Sequence, residues 1–310
     1  MSFTAADVKT LREMTSVGMM DCKKALTECD GDMDKAVEYL REKGLAKAAK
    51  KAGRIAAEGM SYALVENGVG ALVEVNCETD FCAKSDLFVA FVKDIAKAVL
   101  DNDPADVDAL MNCKYPGTEL TVSETMPEKV MSIGENLQIR RFERFDNSTV
   151  NVAYNHMGGV IGVLVGLEVS EGLKDNATVK ELGKDIGMQA AAMNPSFLDK
   201  SDVDQTTLDK EKEILLIQAK EDPKNANKPD AIKEKMAIGK LGKFYKENCL
   251  VDQEFVKAEN HENVQTYINN VAKALGTEIK CTGFVRMMKG EGLEKREENF
   301  AEEIAKQING

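Results

Sequence analysis

Residues 61–76 read Ser61-Tyr62-Ala63-Leu64-Val65-Glu66-Asn67-Gly68-Val69-Gly70-Ala71-Leu72-Val73-Glu74-Val75-Asn76. Two runs rich in apolar and β-branched residues flank Asn67-Gly68, the dipeptide that tolerates the positive φ a tight hairpin turn needs. The pattern predicts strands at Ser61–Glu66 and Ala71–Asn76. The period then changes, with Phe88, Phe91, Ile95 and Val99 on one face of a helix. The same order recurs downstream: a strand over Asn151–Asn155, a turn at Gly158-Gly159, a strand over Ile161–Glu168, and a helix through Val179, Leu182 and Ile186. The two units align without a gap at an offset of 91 residues, which places Gly68-Val69 on Gly159-Val160, Val73 on Leu164, and Lys93-Asp94-Ile95 on Lys184-Asp185-Ile186. Identity is thin, so the order of elements carries the inference of two similar α+β halves.

Outward from these units the character changes. Residues 1–45 predict three short helices: one starting near Thr4 with Val8 and Leu11 inward, one through Ala25, Leu26 and Cys29, and one through Ala36, Val37 and Leu40. Gly18 and Asp30-Gly31-Asp32 punctuate them. From Leu45 to Ala57 the chain is rich in Ala and Lys and predicts a helical or extended tether. Residues 203–246 predict two charged helices around the loop Glu221–Asp230, with Leu208 and Leu215 on the first and Ile232 and Met236 on the second, an antiparallel hairpin projecting from the core. Val264–Leu275 then predicts a helix and Glu278–Met288 a strand. Leu293, Phe300 and Ile304 predict a terminal amphipathic helix.

Composition excludes several classes of function. The chain has 310 residues, 41 basic and 53 acidic, for a net charge of −12. Residues 1–54 hold 11 of the basic and 9 of the acidic residues, leaving 30 basic against 44 acidic in the body. A body that acidic is repelled by phosphate backbones, so no direct nucleic-acid ligand is expected. The longest apolar run, Met157–Leu167, has 11 residues with four glycines, short of the roughly 18–20 a membrane helix needs. The first residues lack the basic and apolar stretches of a signal peptide. Seven cysteines (Cys22, Cys29, Cys77, Cys82, Cys113, Cys249 and Cys281) are odd in number and form no CxxC pair, which points to a reducing, cytoplasmic setting.

No catalytic constellation emerges. The two histidines, His156 and His261, lack an evident partner for acid–base work. Cys77 and Cys82 are five apart, the wrong spacing for a zinc knuckle, and no second ligand pair follows. The glycine clusters lack the GxGxxG order and a Walker lysine, and GxSxG is absent. Neither metal nor cofactor is expected. One segment stands out: Val73 to Phe81 runs off a strand into polar residues and places Phe81 beside Asp80, ahead of Ser85 and Asp86 at the next helix start. Phe81 either tucks under that helix or stands exposed as an aromatic anchor beside a carboxylate, a candidate hot spot.

Asn76-Cys77-Glu78-Thr79-Asp80-Phe81-Cys82-Ala83-Lys84 resembles the signature loop of the bacterial elongation factor Ts family, nucleotide-exchange factors for the translational GTPase elongation factor Tu. The resemblance covers nearly the whole chain. It includes Leu11-Arg12-Glu13-Met14-Thr15 with Gly18-Met19-Met20-Asp21-Cys22-Lys23-Lys24-Ala25-Leu26, then Lys47-Ala48-Ala49-Lys50-Lys51-Ala52-Gly53. Ile133-Gly134-Glu135-Asn136 with Ile139-Arg140-Arg141 follows, and then Tyr154-x-His156-x-Gly158-Gly159 before Ile161-Gly162-Val163-Leu164-Val165. Glu234-Lys235-Met236, Gly239, Lys243-Phe244 and Gln253-x-Phe255-Val256 come next, and Gly290-Glu291-Gly292-Leu293-Glu294-Lys295 closes the series. The chain departs from the pattern at Cys82, where the family usually has valine, and at Glu78, where glutamine is common. Asp80 and Phe81 are untouched.

The resemblance implies an α+β fold: a ubiquitin-associated-like N-terminal domain with its linker (1–54), core subdomain N (55–135), core subdomain C in two parts (136–202 and 258–289), a helical hairpin or coiled coil with its return (203–257), and a C-terminal module (290–310). It implies an exchange factor without covalent chemistry, with elongation factor Tu as partner in a 1:1 or 2:2 complex. Thr79, Asp80, Phe81 and Cys82 would displace the partner's Mg²⁺. Val17, Gly18, Met19, Met20, Tyr154, His156, Met157 and Gly158 would contact the partner. The rival from another class is a scaffold that holds a client without altering any nucleotide.

Overall fold

The hairpin forms where the alternation requires it. In the computed structural model, which describes residues 3–15, 17–225 and 228–294, β1 (Glu58–Glu66) pairs antiparallel with β2 (Val69–Cys77) around Asn67 and Gly68. Both turn residues have positive φ, 52° and 82°, the backbone that Asn and Gly reach at least cost. A third strand, β3 (Gln138–Phe145), completes a sheet of order β1-β2-β3. A second sheet has the same topology, β4 (Val150–His156), β5 (Ile161–Glu168) and β6 (Lys280–Met288), in the order β4-β5-β6. The chain is therefore α+β.

Each sheet carries a helix on one face. After β2 come a single helical turn, α4 (Asp80–Ala83), and α5 (Asp86–Asn102). Ser85 caps α5 by accepting from the Phe88 amide, and Phe88, Phe91, Val92, Ile95 and Val99 are buried against the sheet. Each such side chain contributes about 1.5–3 kcal/mol by leaving water. After β5 comes α8 (Ala177–Met193), with Val179, Leu182, Ile186 and Ala190 buried. Shifting the bounds of α5 by 91 residues gives those of α8. The correspondence extends to the left-handed C-caps, Asp103 and Asn194. It extends also to a part-buried acid-to-tyrosine bond: the Tyr115 hydroxyl donates to Asp94 at 2.5 Å and the Tyr267 hydroxyl to Asp185 at 2.7 Å.

The other faces of the two sheets meet each other. Ala63, Leu72, Leu164 and Met287 form the seam. A Cβ on Gly162 would lie 2.5 Å from Leu72 Cδ1 and 3.0 Å from the Ser61 carbonyl oxygen, so only glycine permits this approach. Asn155 on β4 bonds both the amide and the carbonyl of Ala63, each at 2.8 Å. Its side chain occupies hydrogen-bonding groups that β1, an edge strand, would otherwise leave open.

The structure revises three points. Of residues 45–57, expected as a helical or extended tether, 45–51 are helical but are the end of α3 (Met33–Lys51), which packs on α7 (Val122–Ile133) instead of spanning free. Gly44 lies so close to the Pro127 carbonyl that a Cβ would sit 3.2 Å from its oxygen, and Met131 joins the core of α1 (Ala5–Thr15) and α2 (Met19–Glu28). β3 escaped notice because Gln-Ile-Arg-Arg-Phe-Glu-Arg-Phe hides its alternation behind long cations. Arg140 Nη1 and Arg141 Nε bond the Glu74 carboxylate at 2.9 and 2.6 Å, and Glu74 is 0% exposed. The connection between β2 and α5 also holds a helical turn rather than an irregular loop, because Thr79 caps it.

The remaining elements are α6 (Val107–Met111), α9 (Gln205–Glu221), α10 (Asp230–Asn248) and α11 (Val264–Leu275). α9 and α10 pack mainly on each other through Leu215, Ala237 and Leu241. The terminal helix expected through Phe300 and Ile304 lies outside the described residues. Among the described residues no helix is long and apolar enough to cross a membrane.

The seam yields a test. Gly162→Val should cost about 1–3 kcal/mol, because overpacking forces a shift in a filled interior. Gly172→Ala, with nothing within 4 Å of the added carbon, should be near neutral. Thermal unfolding of both variants beside the parent reads the difference directly as a fall of several degrees in Tm for the first alone.

Candidate functional site

The β2–α4 connection is built from hydrogen bonds to one carboxylate. β2 ends at Cys77, and the amides of Glu78 and Thr79 both donate to Glu135 Oε2, at 2.9 and 3.0 Å. The Thr79 hydroxyl donates to Glu135 Oε1 at 2.6 Å and accepts from the Cys82 amide at 3.1 Å, which caps α4. Glu78 reaches back to accept from the Asn136 amide at 2.7 Å, with Arg54 beside it. Hydrogen bonds to a charged acceptor are the strong ones, so this connection is held as firmly as a strand. Ser85 follows, its hydroxyl donating to the Cys82 carbonyl at 2.8 Å.

On this base Phe81 projects outward, 84% exposed. Of the two expectations for this ring, the tucked one fails, because the residues turned under the helix are Cys82 and Ala83. Asp80 accepts from Lys84 Nζ at 2.7 Å, and that bond holds its carboxyl below the usual range. Thr79 and Cys82, expected to act with Phe81, are placed beneath it. Thr79 is the cap and Cys82 is buried, so both position the ring and present little surface themselves.

A second candidate lies at the turn after β4. The Tyr154 hydroxyl and His156 Nδ1 are 3.0 Å apart and the rings stack at 5.9 Å. Met157 is 74% exposed, at the tip of a turn in which Met157, Gly158 and Gly159 all have positive φ. Gly159 is required twice over: its φ is 95°, and a Cβ there would meet Met60 Cγ at 2.5 Å. Its carbonyl accepts from the Ser61 amide at 2.8 Å. This turn and α4 both pack against β1, so the fold places the two candidates on a common support.

The third candidate, on the N-terminal helices, divides. Gly18 precedes α2, and Met19 and Met20 at its start are exposed, Met20 to 76%. Val17 is 1% exposed in the core of these helices. This corrects the expectation of a contact: an apolar side chain between α1 and α2 is consumed in packing them. Two residues escaped the sequence reading. Glu135 carries no pattern that marks it as the anchor of a segment so far upstream. Leu87 is half-exposed on the first turn of α5, and the signal was there: it falls off the face set by Phe88, Phe91 and Ile95.

This arrangement offers a rigid exposed ring beside a carboxylate, and softer methionine surfaces elsewhere, which are features of protein recognition. Comparison with known proteins identifies relatives along the whole chain. The family model described as Elongation factor TS matches residues 78–291. The chain is 50% identical to a protein named Elongation factor Ts of Clostridium kluyveri over 311 residues, covering 99% of each chain. It is likewise 50% identical to that of Clostridium novyi, with the same coverage, and 49% identical to that of Clostridium botulinum, covering 98% of this chain and 99% of the relative.

Glu135→Ala should loosen the site while leaving the fold. Faster amide hydrogen exchange is expected at Glu78, Thr79 and Cys82, with a stability loss of about 1–3 kcal/mol for the orphaned donors. Unchanged protection at those three amides would show that the carboxylate does not hold the turn.

Proposed function

The chain belongs to the elongation factor Ts family, and from that membership we propose that it is a guanine-nucleotide exchange factor for elongation factor Tu in translation elongation, acting in the cytoplasm. It binds the GDP-bound GTPase, and Asp80-Phe81 disturbs the Mg²⁺ and phosphate site so that GDP leaves and GTP enters. The single observation that carries this reading is Phe81, a large apolar ring left in water on a turn fixed by three hydrogen bonds to Glu135.

The logic is differential binding. A GTPase holds GDP through Mg²⁺ and backbone amides around the phosphates, and a nanomolar complex is worth about 12 kcal/mol. An exchange factor need not touch the nucleotide. It binds best the state in which that site is distorted, and so raises the free energy of the nucleotide complex. A ring on a stiff support transmits such strain, whereas a ring on a mobile loop relaxes. No covalent bond changes.

The other surfaces supply affinity in this reading. Gly18, Met19 and Met20 of a ubiquitin-associated-like unit at 1–54 dock on one part of the partner, with Val17 as their support, and Tyr154, His156, Met157 and Gly158 dock on another. The helix pair of residues 203–257 acts as a coiled coil and the segment from Gly290 as a further contact.

Phe81→Ala is the test. The side chain is 84% exposed, so Tm should hold and binding to the GTPase should persist through the remaining surfaces. Release of a fluorescent GDP analogue, followed by stopped flow, should slow by one to two orders of magnitude, roughly 1.4–2.8 kcal/mol. Undiminished exchange would sink the wedge, and a complex that excess GDP·Mg²⁺ fails to dissociate would favour a scaffold, since linkage requires reciprocity.

A further inference from the structure

We propose that Cys77, Cys82 and Glu135 form a binding site for one soft divalent metal ion of the zinc class. Among the described residues this is the one place where three groups of metal-ligating type bring a ligand atom each within 4.8 Å of one another. The sequence argued against a metal here, because a five-residue spacing of cysteines with no second pair fits no zinc knuckle. The fold supplies what the spacing lacked. Glu135 follows the end of α7, and β2, α4 and that end converge on one point.

Two donors sit on regular elements and the third just beyond one. Cys77, the last residue of β2, donates weakly from Sγ to the Thr79 carbonyl at 3.3 Å. Cys82 lies on α4 with its side chain turned inward. The Glu135 carboxylate is oriented by the Glu78 and Thr79 amides and the Thr79 hydroxyl, the outer-shell support that bound ligands commonly show. A tetrahedral ion with bonds of about 2.3 Å to sulfur needs the two sulfurs roughly 3.8 Å apart, so little movement completes the site. Both cysteines are buried and Glu135 is half-buried.

The donor set selects the class of ion. Two thiolates favour Zn²⁺ or Cd²⁺ over the hard cations Mg²⁺ and Ca²⁺. A divalent ion binds thiolates, so loading displaces the thiol protons and strengthens as pH rises.

The experiment is a titration of the full-length protein with CdCl2 under a non-thiol reductant, read by the ultraviolet thiolate-to-cadmium charge-transfer band. One ion per chain is expected, displaced by Zn²⁺, with a rise in Tm on loading. Cys82→Val, which keeps an apolar side chain of similar size, should abolish the saturable band. Glu135→Gln should keep the band and weaken binding at least tenfold. No saturable band, or one undiminished in Cys82→Val and so owed to the other cysteines, overturns the site. None of these readouts involves nucleotide exchange, so the site stands or falls apart from the role of Phe81.

Discussion

Gly162 lies against Leu72 and the Ser61 carbonyl with no space for a side-chain carbon, and the rest of the molecule is arranged around that contact. It lets two three-stranded sheets close face to face, with Leu72 and Leu164 filling the seam. Interiors packed to this density do not deform smoothly, so the closure fixes each half relative to the other. β1 is central to the outcome. α4 packs on it, the Gly159 carbonyl bonds Ser61, and Asn155 brackets Ala63. Phe81 and the Tyr154–His156 pair are thereby held at a set separation, and in the proposed function both contact one partner.

Carboxylates tie the distant segments together. Glu74 bonds Arg140, Arg141, the Asn76 amide group and, at 2.7 Å, the Gly290 amide, so one side chain joins β2, β3 and the chain beyond β6. Glu135 joins the end of α7 to the β2–α4 connection. Asp185 bonds Lys257 and Tyr267 and fastens α8 to α11. In each case the acid accepts from several donors, which offsets the cost of taking it from water. The tyrosines bonded to Asp94 and Asp185 are pushed up by burial first and by those carboxylates second, and so remain donors throughout the neutral range.

The exposed apolar residues divide by stiffness. Met19, Met20 and Met157 are flexible and fit irregular partner surfaces. Phe81 has few rotamers and a base anchored at three points. In the proposed function the methionines add affinity and the ring adds strain, a division that the rigidity of the β2–α4 connection makes physically reasonable.

The sequence alone determined the elements whose periodicity is local. Asn67-Gly68 set the first hairpin because few other residues reach its backbone angles, and the faces through Phe88 and Val179 set α5 and α8. The offset of 91 residues foretold the matching bounds of those helices. Phe81 stood out because an aromatic between polar residues has no place in either period. Tertiary structure decided the rest, wherever a residue's role depends on a partner far along the chain. The arginines of β3 look like surface until Glu74 is beneath them, and Val17 looks like surface until α1 and α2 close on it. Residues 45–51 look like a tether until α7 packs on them. Phe81 stands exposed on a turn held by Glu135, more than fifty residues on, and local sequence holds no trace of a contact that only the folded chain creates.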